Sequence, residues 1–164
     1  MVTYVIPYRA GGKTRLGDQE LAEAMFADVL AACRGTGADD VVIADAPGGQ
    51  GEAVEAVLSG LTGPVTIVNA DLPCATPDEL RALSDAAPAI VAAPDGTTNA
   101  IAVRDAQQFV ALYGAGSAAR YAEALGATQM RLEGLRDDVD TRSDIERVRD
   151  RVGANTRRLV EVFV

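Results

Sequence analysis

The sequence has 164 residues, of which 48% are hydrophobic and 24% charged, and its formal net charge is −9. This length and acidic balance predict a soluble globular protein and argue against broad binding to the phosphates of nucleic acids. Histidine is absent, which excludes Ser-His and Cys-His nucleophilic schemes and the usual zinc sites, so any chemistry must rely on carboxylates, cations, hydroxyls, backbone amides or an oxygen-binding metal.

The sequence also contains no targeting or cross-linking signals. No apolar run approaches the roughly 18 residues of a membrane span, and the N-terminus lacks a signal-peptide pattern. Cys33 and Cys74 form no CxxC pair and suggest no disulfide framework. We therefore expect one domain over residues 1–164, a cytoplasmic location, and no membrane or nucleic-acid partner. A homodimer is compatible with the sequence.

In the first half of the chain, strands and helices are predicted to alternate. An apolar run at residues 2–7 predicts a strand, and a glycine-rich loop follows it. Apolar residues at helical spacing predict a helix over 18–34. The stretch DDVVIADAP predicts a short buried strand, and a helix over about 51–61 comes next. The clearest strand is GPVTIVNADLP.

The second half begins with a helix that Thr76 is predicted to cap, with Pro77 in its first turn and Glu79 completing a capping box. PAIVAAPD and TNAIAVR predict two strands joined by a turn. The remaining predicted elements are helices over about 106–112 and 117–125, a strand at 128–133, a last helix capped by Thr141 and running to about Arg151, and a terminal edge strand from RRLVEVFV.

This alternation predicts an α/β fold, with a doubly wound, mostly parallel sheet and helices on both faces. In such sheets, ligands bind beyond the carboxyl ends of the strands. The most polar segments are predicted to lie there. They are IPYRAGGKTRLG, NADLP, PDGTTN and DDVDT.

The first of these segments contains Gly12, Lys13 and Thr14 but is not a P-loop, because Pro7 stands where the pattern requires its first glycine. The cationic side chains of this segment therefore have two possible roles. They neutralise the phosphates of a nucleotide, or they form a solvated basic loop. The cations concerned are Arg9, Lys13 and Arg15.

Three acids in two segments suggest a metal site. Asp71 follows the clearest strand, where a carboxylate either caps a turn or serves as a ligand for Mg²⁺. Asp138 and Asp140 flank Val139, so an extended backbone points both carboxylates to the same side. Like charges this close repel one another unless a cation neutralises them. We expect the three acids to form one cation site, and a solvated acidic surface is the alternative.

Two further segments could bind an anion. Gly114, Gly116 and Ser117 precede a predicted helix, whose N-terminal amides attract a carboxylate or phosphate. A turn between helices with Ser117 as N-cap explains the same residues equally well. Thr98 and Asn99 stand at the entrance of a strand, where the preceding turn does not require them.

Taken together, these motifs resemble the guanylyltransferases of coenzyme F(420) biosynthesis, which act on 2-phospho-L-lactate or, in actinobacteria, on phosphoenolpyruvate. The segments that carry the resemblance are VIPYRAGGKTRL, NADLPCATPDEL, APDGTTNAIAV, YGAGSAARYAEA and DDVDTRSDIE. The resemblance implies a Rossmann-like fold of the nucleotide-diphospho-sugar transferase type. It also implies transfer of GMP from GTP to the phosphate of a small phospho-carboxylic acid, with release of pyrophosphate.

The resemblance assigns roles to individual residues. The implied ligands of Mg²⁺, with two ions expected, are Asp71, Asp138 and Asp140. The implied contacts to the acceptor carboxylate are Thr98, Gly114 and Ser117. The implied catalytic residues are Lys13, Arg15 and Asp71, with Lys13 and Arg15 on the phosphates of GTP beside Arg9.

Two other functions stay open at this point. The same fold could transfer a nucleotide to a molybdopterin or a sugar phosphate, or it could bind a nucleotide without turnover. The segment GGQGEAVEAVL lacks the Gly-Leu-Asn that is usual in the family at this point, so we leave the nucleobase contacts unassigned.

Overall fold

Six strands form one mixed sheet in the computed structural model, which describes residues 1–9, 19–45 and 48–162. The strands are β1 (Thr3–Pro7), β2 (Asp40–Ala44), β3 (Val65–Val68), β4 (Ala89–Ala92), β5 (Thr98–Val103) and β6 (Thr128–Gln129). The helices within the described residues are α1 (Gln19–Gly35), α2 (Gln50–Leu58), α3 (Pro77–Asp85), α4 (Ser117–Leu125), α5 (Glu133–Arg136), α6 (Arg142–Val148) and α7 (Ala154–Val162).

The order of the strands is β2-β1-β3-β5-β4-β6. β1 is parallel to β2 and β3, and β4 is parallel to β6, whereas β5 is antiparallel to both of its neighbours. The prediction of a mostly parallel α/β sheet is therefore confirmed, with β5 as the exception. β5 reverses because the predicted turn between β4 and β5 is short enough to make a hairpin, in which Ala93 N–H donates to Thr97 C=O over 2.8 Å.

Helices cover both faces of the sheet, as predicted. Successive side chains of β1 point to opposite faces, so Ile6 packs with residues of α1 and α3, such as Val29 and Leu80. Val5 packs on the other face with α2 and α4, against residues that include Val54. In the part of the chain that is described, none of the helices combines the length and the apolarity that a membrane crossing requires.

The end of the chain differs from the prediction. The stretch predicted as a terminal edge strand is helical within the described residues, as α7, and the helix predicted to run to about Arg151 ends at Val148. Thr156 and Val160 lie one helical turn apart and are both buried. Buried residues therefore recur every four positions, as in a helix, and not every two, as in a strand. The apolar run LVEVFV is compatible with either spacing.

Two predicted elements are shorter than expected. The helix predicted over 106–112 is a single 3-10 turn at Ala106–Gln108, capped by Asp105. The chain then leaves helical geometry, and Leu112 N–H donates instead to the Tyr121 hydroxyl over 2.8 Å. Of the strand predicted at 128–133, only Thr128 and Gln129 are in strand geometry, and Met130 N–H adds one more hydrogen bond to β4, to Ile90 C=O over 2.8 Å.

Thr76 caps α3 as predicted, but Glu79 does not complete a capping box. The Thr76 hydroxyl accepts a hydrogen bond from Glu79 N–H at 3.3 Å. The Glu79 carboxylate accepts from the Thr76 hydroxyl and from Gly134 N–H, both at 2.9 Å. Glu79 therefore holds α5, which begins at Glu133, against the start of α3.

This close approach makes Gly134 sensitive to substitution. A Cβ there would overlap the Cys74 carbonyl oxygen and the Glu79 carboxylate. We expect Gly134→Ala to lower the free energy of unfolding by about 1–3 kcal/mol, measured by urea denaturation, because one of these groups must move. Gly60→Ala is the control, since its added Cβ meets nothing closer than 3.8 Å. Equal stability of the two variants would contradict the expectation.

Candidate functional site

One edge of the sheet gathers most of the predicted site. The parallel strands β1 and β3 end there, so Arg9 and Asp71 lie just beyond their carboxyl ends. β5 runs the other way, and the pairing of Val68 with Ala100 places its first residue, Thr98, at the same edge. Lys13 and Arg15 lie outside the described residues.

The structure brings the three predicted acids together. Asp71, Asp138 and Asp140 each contribute a carboxylate oxygen, and these oxygens lie within 4.8 Å of one another. The backbone explains this geometry, because Val139 N–H donates to Asp71 C=O at 3.0 Å. Val139 is fully buried, so the acids on either side of it point toward Asp71.

The other two acids of RDDVDTRSD, Asp137 and Asp144, have partners other than the three clustered carboxylates. The Asp144 carboxylate accepts from Asp140 N–H at 2.9 Å and from Thr141 N–H at 3.0 Å. Thr141 in turn caps α6, as predicted. Asp137 pairs with Arg151 over 2.5 Å. Of the acids in RDDVDTRSD, Asp138 and Asp140 are therefore the two that join Asp71.

The cluster has the electrostatics and the donor set of a cation site. Burial raises the pKa of Asp138 to about 6, and the charges of Asp71 and Asp140 act in the same direction. The Asn99 side chain acts in the opposite direction, since its hydrogen bond lowers this pKa. The three side chains offer hard carboxylate oxygens, which fit a small divalent cation.

A cleft that is open to solvent adjoins the cluster. It opens between the ends of β1, β2 and β3 and the start of α2. The charged and amide side chains that line it are Arg9, Asp45, Gln50, Asn69 and Asp71. The positive charge of Arg9 suits an anionic ligand.

The residues predicted to bind an anion also lie together, and two of their hydroxyl groups are hydrogen-bonded to each other. Thr98 is 3% exposed and Ser117 is 0% exposed. Their hydroxyl oxygens lie 2.8 Å apart in a hydrogen bond. Ser117 N–H donates to Gly114 C=O at 3.0 Å, and Ala118 N–H donates to Gly96 C=O at 3.1 Å, so two amides at the start of α4 already have backbone partners.

The glycines of this loop have separate roles. Gly116, not Ser117, is the N-cap of α4, and it adopts a left-handed conformation with φ 72°. Gly114 has φ 119°, a backbone conformation that residues other than glycine rarely adopt. Both glycines are exposed, so the backbone is open to a ligand at this turn.

Two residues of the cleft were missed by the sequence analysis. Gln50 Nε2 donates to Asn69 Oδ1 over 2.6 Å, and Asn69 Nδ2 donates to Thr98 C=O over 3.1 Å. The pair links the start of α2 with the entrance of β5. Asn69 had a signal, because it is the first polar side chain after the four buried residues of β3. Gln50 is the first residue of a helix and gave no such signal.

Comparison with known proteins identifies relatives over most of the chain. It is 35% identical to the 2-phospho-L-lactate guanylyltransferase of Halobacterium salinarum, covering 87% of this chain and 76% of that one. It is 36% identical to the protein of the same name from Haloferax volcanii, covering 88% and 82%. A shorter match, 41% identical and covering 49% and 44%, is to a phosphoenolpyruvate guanylyltransferase of Sphaerobacter thermophilus. No protein-family model matches the sequence.

Among solved structures, the fold matches a protein of Desulfovibrio desulfuricans described as a nucleotide-diphospho-sugar transferase. The TM-score is 0.71 at 16% identity, with 98% of this chain and 94% of that chain covered. At this identity the match shows the fold alone, and it confirms the predicted Rossmann-like transferase fold. The relatives from Halobacterium salinarum and Haloferax volcanii, 35% and 36% identical over more than two thirds of their length, show that the chain belongs to the 2-phospho-L-lactate guanylyltransferase family.

Proposed function

We propose that this chain is a Mg²⁺-dependent guanylyltransferase of coenzyme F(420) biosynthesis. It transfers GMP from GTP to the phosphate of phosphoenolpyruvate or 2-phospho-L-lactate and releases pyrophosphate. The observation that carries the proposal is the cluster of Asp71, Asp138 and Asp140 beside a cleft that Arg9 also lines, in a member of this family.

The chemistry suits a chain without histidine. An oxygen of the acceptor phosphate, already ionised at neutral pH, forms the new bond to the α-phosphorus of GTP. The bond from that phosphorus to the oxygen bridging to the β-phosphate breaks, and pyrophosphate leaves with the electron pair. No proton has to be removed from the nucleophile, so the protein needs to align the two substrates and to balance their negative charge.

The acidic cluster supports a role for divalent cations in that balance. Asp71, Asp138 and Asp140 would hold Mg²⁺, as two ions, and the bound metal would neutralise phosphate charge. The three acids would fix where the cations bind, because Asp71 lies in the turn that follows β3 and the other two are tied to its backbone through Val139. We assign Arg9, Lys13 and Arg15 to the phosphates of GTP.

The acceptor is assigned to the neighbouring loops. Thr98 and Ser117 have two hydroxyl protons between them, and the bond that joins them uses one. The second proton can be donated to the carboxylate of the acceptor. Gly114, with no side chain, lets that carboxylate approach the backbone at the start of α4. This geometry supports a small carboxylate acceptor.

A pyrophosphate-release assay tests the proposal. With GTP and Mg²⁺, we expect release to depend on added phosphoenolpyruvate or 2-phospho-L-lactate and to stop when EDTA removes the metal. ATP, CTP and UTP serve as nucleotide controls, and a sugar phosphate serves as the acceptor control. Pyrophosphate release with the sugar phosphate, but with neither phospho-acid, would show that the acceptor is a sugar phosphate instead. If none of the four nucleotides yields pyrophosphate with either phospho-acid, the proposed activity is wrong.

A further inference from the structure

Asn99 occupies a buried position that the alternation of its strand does not predict. Val91 pairs with Ala100 and Ala92 pairs with Thr98, so Asn99 is an extra residue in β5, opposite a break in the register. Such a β-bulge redirects a side chain. Asn99 is 3% exposed and contacts the backbone of α5, whereas Thr98 contacts Ser117 on α4.

The Asn99 amide group binds the backbone just before the two acids. Its Nδ2 donates to Leu135 C=O at 3.0 Å and to Arg136 C=O at 2.9 Å. These carbonyls belong to the last residues of α5. At the end of a helix the last carbonyls have no hydrogen-bond donor within the helix. The Arg136 carbonyl also accepts from Asp138 N–H at 3.1 Å. A single backbone carbonyl therefore joins Asn99 to the backbone of Asp138.

Other contacts hold the same segment, but not to β5. Gly134 N–H binds Glu79 of α3, and Asp140 N–H binds Asp144 of α6. Asn99 is thus the side chain that ties residues 135 and 136 to the entrance of β5, next to Thr98. A backbone shift in this segment would move the carboxylates of Asp138 and Asp140, which the hydrogen bond from Val139 N–H to Asp71 C=O also holds in place.

We propose that Asn99 is a positioning residue of the acidic cluster. It holds Asp138 and Asp140 at the distance from Asp71 at which the three carboxylates share a divalent cation, and it sets that cluster in register with Thr98. It acts on the acids, through the backbone of residues 135 and 136 and through its amide beside the Asp138 carboxylate, and not by contact with substrate. This inference rests on the proposed function, since it concerns the metal site of that reaction.

The test measures metal binding directly, with Mn²⁺ as the probe and no nucleotide present. Asn99→Ala removes the amide, and Asn99→Thr removes it while keeping nearly the same volume and suiting a strand, so it preserves the fold if alanine does not. The free Mn²⁺ signal in electron paramagnetic resonance reports binding. We expect the dissociation constant to rise about tenfold or more, as when other residues that orient metal ligands are removed.

Thr66→Val is the matched control. Thr66 is 1% exposed, lies in β3, and its hydroxyl is hydrogen-bonded to that of Ser84 at 2.7 Å. The substitution removes a buried polar contact of the same sheet without touching residues 135–140. We expect it to lower the melting temperature and to leave Mn²⁺ affinity unchanged. A general loss of stability therefore cannot mimic the effect expected for Asn99.

The outcomes separate this inference from the proposed function. Wild-type affinity for Mn²⁺ in a folded Asn99 variant overturns the inference and leaves the transferase proposal intact. If the wild-type protein binds no Mn²⁺, or binds it equally well after Asp71→Asn, the metal site itself is wrong and the inference falls with it. Reduced affinity in the Asn99 variants, with the Thr66 control unaffected, supports it.

Discussion

Replacing Asp71 by asparagine is expected to reduce GMP transfer at least about 100-fold, a loss on the scale seen when one electrostatic group of an active site is removed. The reason is the position of Asp71 in the cluster, where its carboxylate and those of Asp138 and Asp140 lie within 4.8 Å of one another. Asparagine keeps the shape but carries no charge, so a cation held by the remaining two acids is bound less tightly. The measurement is kcat for acceptor-dependent pyrophosphate release at saturating substrates.

The same substitution is expected to leave the protein folded and slightly more stable without metal. Three carboxylates held close together repel one another, and two unit charges at this separation in a watery environment interact by about 1 kcal/mol. Removing one of them relieves part of that repulsion. Added Mg²⁺ should raise the melting temperature of the wild type through preferential binding to the folded state, and should raise that of Asp71→Asn by less.

Asp39→Asn is the control for charge alone. Asp39 lies in an exposed turn just before β2, so its removal changes the net charge by the same amount, away from the cluster. We expect this variant to retain wild-type kcat and the wild-type response to Mg²⁺. If folded Asp71→Asn kept wild-type activity, the metal role of Asp71 would be contradicted, whereas loss of the fold would contradict only the expected stability.

The clustering of the acids could be predicted because it follows from two local rules. A buried strand that ends at Val68 delivers the residues after it to the carboxyl edge of the sheet. An extended Asp-Val-Asp places both acids on the side away from the buried valine. Both rules need only neighbouring residues, and the structure places the acids as the rules require. Their role in catalysis stays a prediction.

The side chains at the entrance of β5 could not be assigned in the same way. Strict alternation would place Asn99 on the face of Ile101, which packs against α2 and α4. The bulge instead turns Asn99 toward α5 and Thr98 toward α4. A bulge depends on how β4 pairs with β5, and this pairing is not encoded in either strand alone.

The C-terminal helix shows the same limit over a longer distance. Arg157 to Val162 contains apolar residues that suit either a strand or a helix. What distinguishes them is a contact with Asp28, which is 127 positions from Asn155 in the sequence. No window of neighbouring residues contains both partners, so the local pattern predicts a strand and gives no sign of this contact.

Asp28 supplies the second prediction, and its expected effect is on stability. It is 7% exposed within α1. One carboxylate oxygen accepts from the backbone and side-chain N–H groups of Asn155, both at 2.9 Å. The other oxygen accepts from Thr156 N–H, also at 2.9 Å. Asp28 thus caps the first turn of α7 from another helix, and its negative charge suits that end of the helix.

We expect Asp28→Ala to lower the free energy of unfolding by about 2–4 kcal/mol, because it removes a cap and leaves buried donors without an acceptor. Asp28→Asn, which keeps one acceptor oxygen, should lose less. Glu23→Ala is the control, since Glu23 is exposed on the same helix, and it should change stability by no more than about 0.5 kcal/mol. Urea denaturation measures all three.

Asp28→Ala should lower stability and spare kcat, whereas Asp71→Asn should do the reverse. Together they test whether the stability of the fold and the activity of the site depend on different residues. α7 packs through Val160 into the cluster of buried residues that contains Val139, but Asp28 makes its hydrogen bonds to Asn155 and Thr156, away from the three acids. Below its melting temperature, Asp28→Ala should therefore keep nearly wild-type kcat per folded molecule, whereas Asp71→Asn should keep its stability and lose kcat. A large fall in kcat for folded Asp28→Ala would mean that α7 holds Val139, and with it the acids, in place. A stability equal to that of Glu23→Ala would mean that the buried cap contributes little.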